Sequence, residues 1–530
     1  MGKLIETIVS RFDGGITNNP RDPASNVARM VTNFDILTNP HKLIPYRDSE
    51  DGDQDAATQK NQSFAVGRRT GTTYSMYGLG VVSGTARAEV NYKNLTTGAA
   101  TDLDDDDWAS PSGDDQSLAG TANFELFTYY QRTNRLYGAR AGTHIFSYLL
   151  TAAGWVDSEA DLTAYTNVAN GLVHSKDDIL YVPYDNKIAK NSNGSWTVPA
   201  LTLPTHFYIT SICEYGNFIA IGCAPLSGIG NSRVYLWDRN ASLTTLSESI
   251  DWGSGVLKVL EEIDGILIGI SLEGSSTIAF KDRIYFRAYT GGTVQTFKTL
   301  YADDATGTVL PITKQKVNNR VYFLMKIVLN GATRTGVWSV GRSSPDSPFV
   351  LVHERTQNND TALGAGVLKG FHVLGDYTFI AYTTAAGDLA MSKTNDQSSF
   401  TATSIYESKI FNAGDSSLKK DLLGTTVTTE YLPANGQVVL KYATDEDIGT
   451  DSWTTIFTDT TDNSISHSAV NIESSGAALP RDYKEIAFRI ESTGGAEITG
   501  LSFMEEITAK RTYMALFEAI INWGASLIRR

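Results

Sequence analysis

Acid/base chemistry needs carboxylates that converge on one reacting atom, and the chain offers adjacent acidic pairs such as Glu261-Glu262 and Glu505-Glu506. Neighbouring residues on a strand point to opposite faces, so both pairs read as solvent charges. The acidic tract Asp48-Ser-Glu-Asp-Gly-Asp-Gln-Asp55 carries the hard oxygen ligands of a calcium loop but lacks the Asp-x-Asx-x-Asx-Gly register with a glutamate at the twelfth position. A second run, Asp102-Leu-Asp-Asp-Asp-Asp107 before Trp108, lies among Asp, Ser and Gly. Both read as solvated loops. Cys213 and Cys223 flank a β-like run, and two buried thiols are expected there rather than a bridge, because cytosolic synthesis keeps thiols reduced. With seven scattered histidines and no paired Cys or His spacing, no structural zinc site is expected.

Nucleophile elbows, Walker loops and His-Glu-x-x-His motifs do not occur. Thr394-Asn-Asp-Gln-Ser-Ser-Phe400 loosely resembles a sialidase-type Asp-box, but Ser398 stands in place of its glycine and Phe400 comes one place early for its tryptophan. Such boxes stabilise hairpin turns, so this one speaks for fold only. No catalytic residue, cofactor or metal is assigned, and the expectation is a protein that is not an enzyme. The formal charge of −15 argues against tight nucleic-acid binding, which depends on Lys and Arg neutralising phosphates. It is compatible with a wall past which DNA slides without sticking. No stretch reaches the roughly 18 to 20 apolar residues that cross a bilayer. The opening Met1-Gly-Lys-Leu-Ile-Glu6 has neither a secretory nor a myristoylation pattern, so synthesis in the cytoplasm is expected.

The elements that carry these residues read as strands. Between about residues 62 and 400, a short apolar or aromatic run, a break of Gly, Asn or Asp, and a second alternating run recur seven times. The pairs are Tyr74 to Val82 with Ala88 to Tyr92, Arg135 to Gly138 with His144 to Tyr148, and Ile179 to Val182 with Lys187 to Ala189. They continue as Phe218 to Ile221 with Val234 to Trp237, Ile266 to Ile270 with Thr277 to Phe280, Val321 to Leu324 with Gly336 to Val340, and Tyr377 to Tyr382 with Asp388 to Met391. A spacing of roughly 40 to 60 residues suits a four-stranded blade that buries its faces only against neighbouring blades. The expected fold class is all-β: a β-propeller of about seven blades at 61–405, preceded by an extended arm and loop at 1–60. Turn pairs such as Asn134-Arg135, Asp177-Asp178, Gly216-Asn217, Asp264-Gly265, Asn318-Asn319 and Gly375-Asp376 are expected where the chain enters an inner strand. Tyr137, Tyr181, Tyr235, Trp237, Tyr322 and Trp338 read as blade-face covers, with a carbohydrate platform as the rival reading.

Six short alternating strands within 406–508 predict a β-sandwich: Thr425 to Leu432, Gln437 to Tyr442, Trp453 to Phe457, Ser468 to Ile472, Glu485 to Ile490 and Ile498 to Met504. At 509–530, Met514, Phe517, Ile520, Ile521 and Trp523 stand at helical spacing, which reads as a docked amphipathic helix or tail rather than a membrane anchor.

Phe12-Asp-Gly-Gly-Ile16, followed by Asn33-Phe-Asp-Ile36 and Leu43-Ile-Pro-Tyr-Arg47, resembles the N-terminal arm of phage tail propeller proteins, including tail nozzle proteins of short-tailed phages. Ser404 to Ser408, Asn412 to Asp415, Lys419-Lys420, Leu432-Pro433, Lys441-Tyr442, Trp453 and Phe488 to Ile490 are similar to the propeller exit and appended sandwich of many phage virion proteins. The resemblance implies a structural subunit of a tailed-bacteriophage virion, an oligomeric tail ring of the nozzle, hub or head-to-tail region. It implies partners in other copies of the chain and in neighbouring tail or connector proteins, with DNA passing without specific binding. Assembly contacts are expected at Phe12, Gly14, Gly15, Ile16, Phe34, Tyr46 and Arg47. The alternatives are a host-surface glycan-binding or polysaccharide-degrading tail protein and a host-derived interaction scaffold.

Overall fold

The Gly, Asn and Asp pairs that punctuate the central region occupy tight turns in the left-handed region of backbone space, with φ of 52° at Asn134, 49° at Asp178, 59° at Gly216, 50° at Asp264, 53° at Asn318 and 57° at Gly375. Short polar residues and glycine tolerate this conformation best, which is why they recur there. Each turn closes the first hairpin of a four-stranded antiparallel sheet in this computed structural model. The turns therefore lead into the second strand of each sheet; the inner strand comes just before the turn, one element earlier than the punctuation suggests.

The structure describes residues 3–508, apart from 18–20, 22–25, 52–58, 71–72, 83–86, 96–107, 109–115, 118–126, 141–143, 152–153, 163–164, 229, 241–247, 275–281, 304–307, 330, 357–366, 384–388, 395–399, 401–402, 451 and 471–478. The acidic run 102–107, most of the Asp-box-like segment and the expected helix at 509–530 lie outside the described residues. So does the run Thr277 to Phe280; the third strand of its sheet is Arg283–Tyr289.

The chain forms two compact units, Tyr46–Ala402 and Met1–Pro45 with Thr403–Arg530. The first is a β-propeller. Among its described residues, seven four-stranded sheets follow one another, with inner strands Gln59–Thr70, Phe127–Tyr130, Leu172–His174, Phe207–Tyr215, Val256–Ile263, Lys314–Val317 and Leu368–Leu374. Among the described residues the seventh sheet takes three strands from its own stretch of sequence, and Ser49–Asp51 supplies the fourth by pairing with Leu389–Thr394. Residues that precede the first sheet thus complete the last, which closes the ring non-covalently.

Seams between sheets hold the apolar residues, as the repeat argument requires. Tyr77, Leu79 and Val90 of the first sheet pack with Leu136, Phe146 and Tyr148 of the second. Tyr137 and Ile145 meet Leu180 and Tyr184, Tyr181 and Ile188 meet Ile219 and Trp237, and Trp252 meets Leu260 and Leu267. Phe286 faces Phe323 at 6.2 Å between the fifth and sixth sheets. Leu324 and Val337 pack with Phe371 and Ile380, and Phe379 with Met391 returns to Phe64 and Met76 of the first sheet. The ring of seams closes on itself. Tyr137, Tyr181, Tyr235, Trp237, Tyr322 and Trp338 are all buried within it.

In the second unit we number nine strands: β1 Lys3–Val9, β2 Ala28–Thr32, β3 Ser404–Ser408, β4 Lys419–Thr429, β5 Gln437–Thr444, β6 Thr454–Asp459, β7 Ser466–Val470, β8 Ile486–Thr493 and β9 Ile498–Thr508. One sheet runs β1-β9-β4-β7, and another contains β2-β3-β8-β5-β6 in that order. Phe488 of one sheet stacks near Phe503 of the other at 4.7 Å, with Phe411 completing the aromatic cluster. The six strands expected after residue 420 all occur, but the unit also needs β1 and β2. The segment 1–45, expected as an arm, is therefore built into this unit, because β1 pairs with β9 and β2 with β3 across almost the whole chain. The propeller unit begins at Tyr46 rather than at the expected residue 61, because Ser49–Asp51 pairs with Leu389–Thr394 of its last sheet.

Candidate functional site

The inner strands of the seven sheets surround an axial cavity of about 400 Å³, lined by residues from every sheet, among them Ser63, Tyr129, Gly171, Ile212, Glu261, Lys314 and His372. Convergent polar groups in a concavity of this size are the ordinary starting point for a ligand site. Here most of them are engaged in joining sheets. Lys314, on the sixth inner strand, donates from Nζ to the Ile212 carbonyl at 2.8 Å, to Glu261 Oε2 at 2.7 Å and to the Leu260 carbonyl. Its neighbour Gln315 donates to the Val373 carbonyl at 2.8 Å and accepts from the Val373 amide at 2.6 Å. Two consecutive residues thus bind the fourth, fifth and seventh sheets to the sixth. Ser211 Oγ accepts from the Leu260 amide at 3.1 Å, and Lys316 pairs with Glu262 at 2.8 Å.

Glu261 and Glu262 are accordingly not solvent charges. Their lysine partners sit on the first strand of the next sheet, a placement that adjacency in sequence does not reveal. Glu505 departs from that reading more strongly: it is fully buried and accepts from the Tyr483 hydroxyl at 2.7 Å. Burial raises its carboxyl pKa, with the Tyr483 hydrogen bond and Lys420 opposing. His372 lines the cavity and is half-buried. Burial pushes its imidazole down to about 4, leaving it neutral in the physiological range.

Cys213 and Cys223 are buried, unbridged thiols on neighbouring strands, and burial raises both well above the ordinary range, which leaves them unreactive. Among the described residues no group of three or more His, Cys, Asp and Glu is arranged to hold a metal ion.

The residues expected as assembly contacts are placed inside the chain's own fold. Phe12 and Phe34 are fully buried, and the Phe12 ring meets Tyr406 edge-on at 5.2 Å. Ile16 is also fully buried and bridges to Ala28. At Gly14 a side chain would collide with the Asn26 carbonyl at 2.5 Å, and Gly15 has φ of 64°. The glycine pair turns the chain back so that Phe12 and Ile16 enter the core together. Tyr46, in the propeller unit, donates to Glu354, and the Arg355 guanidinium lies 4.4 Å from its ring centroid. Arg47 beside it is half-buried. Each of these residues packs within its own unit, and Phe12, Ile16 and Phe34 have no exposed surface.

One constellation escaped the motif search because its members come from three strands. His467 Nδ1 lies 2.8 Å from Asp459 Oδ2, and His467 Nε2 lies 3.0 Å from Thr429 Oγ1. Hydroxyl, imidazole and carboxylate in this order are the geometry of a hydrolytic triad. The hydroxyl, however, is buried and also lies 3.3 Å from the Ser464 carbonyl, so no substrate carbonyl reaches it. Burial alone would raise the Asp459 carboxyl, but hydrogen bonds from His467 and Thr461 outweigh it and hold it at about 2. The arrangement ties β4, β6 and β7 together.

Fold and site define an all-β protein: a β-propeller whose axial polar groups lock its sheets, and a second β unit closed by strands from both ends of the chain. No family model and no curated protein matches the chain. Among solved structures it is similar to the β-propeller domain of Cps50 (Swd1) from Myceliophteria thermophila, at 10% identity over 63% of this chain and 97% of that one, with a TM-score of 0.38. That likeness is too distant to bear on function. Among the described residues no helix is long and apolar enough to cross a membrane.

Proposed function

We propose that the chain is a non-enzymatic structural subunit of a tailed-phage virion, an oligomeric tail ring component in the nozzle, hub or head-to-tail region. Its partners in this reading are further copies of itself and neighbouring tail or connector proteins, and it is made in the host cytoplasm before it joins the virion. The observation that carries the reading is the use of the axial polar groups. Lys314, Gln315 and Ser211 are committed to bonds between sheets, so the propeller is suited to serve as rigid bulk. Support comes also from the resemblance carried by residues 12–16, 33–36 and 43–47, and from the charge of −15, which suits a wall past which DNA moves without binding. Because Phe12, Ile16 and Phe34 are spent on the internal core, the reading assigns neighbour contacts to exposed positions instead.

The test is sedimentation velocity and negative-stain imaging of the purified chain, with immunogold labelling of phage particles. Closed rings and a label confined to the tail support the reading. A protein that stays monomeric at high concentration and is missing from every virion fraction refutes it. Specific glycan-array binding or release of reducing sugar ends would transfer the chain to the glycan-binding or polysaccharide-degrading class.

A further inference from the structure

The β1-β9-β4-β7 sheet of the second unit ends on β1 at one side and on β7 at the other. Among the described residues no strand and no backbone hydrogen bond reaches the outer edge of either. Proteins usually blunt such edges with a bulge, a proline or charged side chains, because a row of unpaired N–H and C=O groups recruits another strand. Here the seven residues of β1 and the five of β7 pair with their inner neighbours without a register shift, and neither strand contains proline. β7, Ser466-His-Ser-Ala-Val470, carries no Lys, Arg, Asp or Glu.

Strand direction suits the two edges to each other. Every pairing across the sheet is antiparallel, so β1 and β7 run in opposite directions. A second copy set alongside in the same orientation would therefore bring its β7 antiparallel to β1. The faces select the register. On β1 the exposed Leu4, Glu6 and Ile8 alternate with half-buried residues, and on β7 the exposed Ser466, Ser468 and Val470 alternate with the buried His467 and half-buried Ala469. A one-residue slip turns every side chain to the other face, so a single register keeps the faces matched and gives all five β7 residues a partner in β1. It sets Leu4 opposite Val470 and Glu6 opposite Ser468. Leu4 and Val470, 60% and 55% exposed, become a cross-strand apolar pair. Pairing of β1 with β1 fares worse, since its full-length register is centred on Glu6 and sets two carboxylates opposite each other.

We propose that copies of this chain join head to tail, β1 of one adding to β7 of the next, so that the four-stranded sheet continues from copy to copy. A contact between two different surfaces propagates, and it closes into a ring where the rotation between copies allows. This interface rests on the ring reading given above and supplies the two surfaces that meet in it.

Cross-linking of the full chain tests this. Glu6→Cys and Ser468→Cys are made as single variants, one of them tagged; both positions are exposed, and the buried Cys213 and Cys223 stay silent. Residues directly opposite have Cβ atoms about 5 Å apart, so mild oxidation of an equal mixture should give a disulfide-linked dimer with one copy of each, while neither variant alone should link. Placing Leu4→Lys and Val470→Lys in one chain sets like charges opposite each other and should weaken association about tenfold, and Leu4→Lys with Val470→Glu should restore it. Links within either cysteine variant alone, no link in the mixture when the parent sediments as rings, or parent-like association of the variant with two lysines overturns this interface and leaves the ring reading standing. A monomeric parent with no link in the mixture overturns both.

Discussion

Replacing Lys314 with methionine removes the ammonium that joins three sheets at the propeller axis while keeping most of the side-chain volume. The Lys314 side chain is 8% exposed and Glu261 15%, so neither charge is well solvated. Removing one partner strands the Glu261 carboxylate and takes the ammonium from the Ile212 and Leu260 carbonyls, although Leu260 keeps the Ser211 hydroxyl at 3.2 Å. Breaking a buried pair costs about 3–5 kcal/mol, and the partial solvation of Glu261 places this case near 3. The propeller unit spans about 360 residues. At about 2.1 cal/mol/K per residue its unfolding entropy is about 0.75 kcal/mol/K, so Tm should fall by about 4 °C. Scanning calorimetry of parent and variant measures this directly. The companion variant Lys314→Met with Glu261→Gln removes the stranded charge and should recover about half of the loss. A single variant within 1 °C of the parent, or a double variant worse than the single, would refute the view that this cluster locks the ring.

Other changes test other parts of the fold. Phe12→Ala empties a fully buried site against Tyr406 and should cost about 3–5 kcal/mol, seen as early loss of hydrogen-exchange protection in β3 and β9; normal stability with lost oligomerisation would restore Phe12 as an assembly contact. Gly269→Ala drives a methyl into the Trp252 indole, where the nearest atom is 2.5 Å away, and should lose about 1–3 kcal/mol in urea unfolding, with partial rescue by Trp252→Leu. The Asp459 carboxyl is held at about 2, below its unfolded value of 3.8, so its contribution of about 2 kcal/mol is present above the unfolded value and fades as pH falls through 2. Asp459→Asn should therefore lower Tm at pH 6 and flatten the acid limb of the stability curve; parallel curves for parent and variant would contradict this. Glu505 has the opposite sign: burial raises its carboxyl, so ionising it costs stability as pH rises through the unfolded value. Glu505→Gln keeps an acceptor for Tyr483 and should raise Tm at neutral pH.

The repeat of hairpins was legible in the sequence because its signals are local. A left-handed turn at Asn134 or Gly375 demands particular residues, and alternation along Phe218 to Ile221 or Val438 to Leu440 reports which face is buried whatever the strand pairs with. For the same reason the aromatic residues could be read as seam fillers before any seam was known. The candidate site was not legible in this way. Glu261 meets Lys314, Phe12 meets Tyr406, and Thr429, His467 and Asp459 meet one another only because distant strands are brought together. Nothing in the spacing of these residues records that.

Composition and local pattern determined that this chain is all-β, that its middle is built of repeated hairpins, and that six further strands follow. Tertiary structure alone decided that Ser49–Asp51 completes the last sheet, that β1 and β2 belong to the second unit, and that the glutamates at 261, 262 and 505 are partnered. The physical reason is that turn and strand preferences act over a few residues, whereas ladder pairing and charge burial depend on which segments become neighbours, and that is settled by closing the ring.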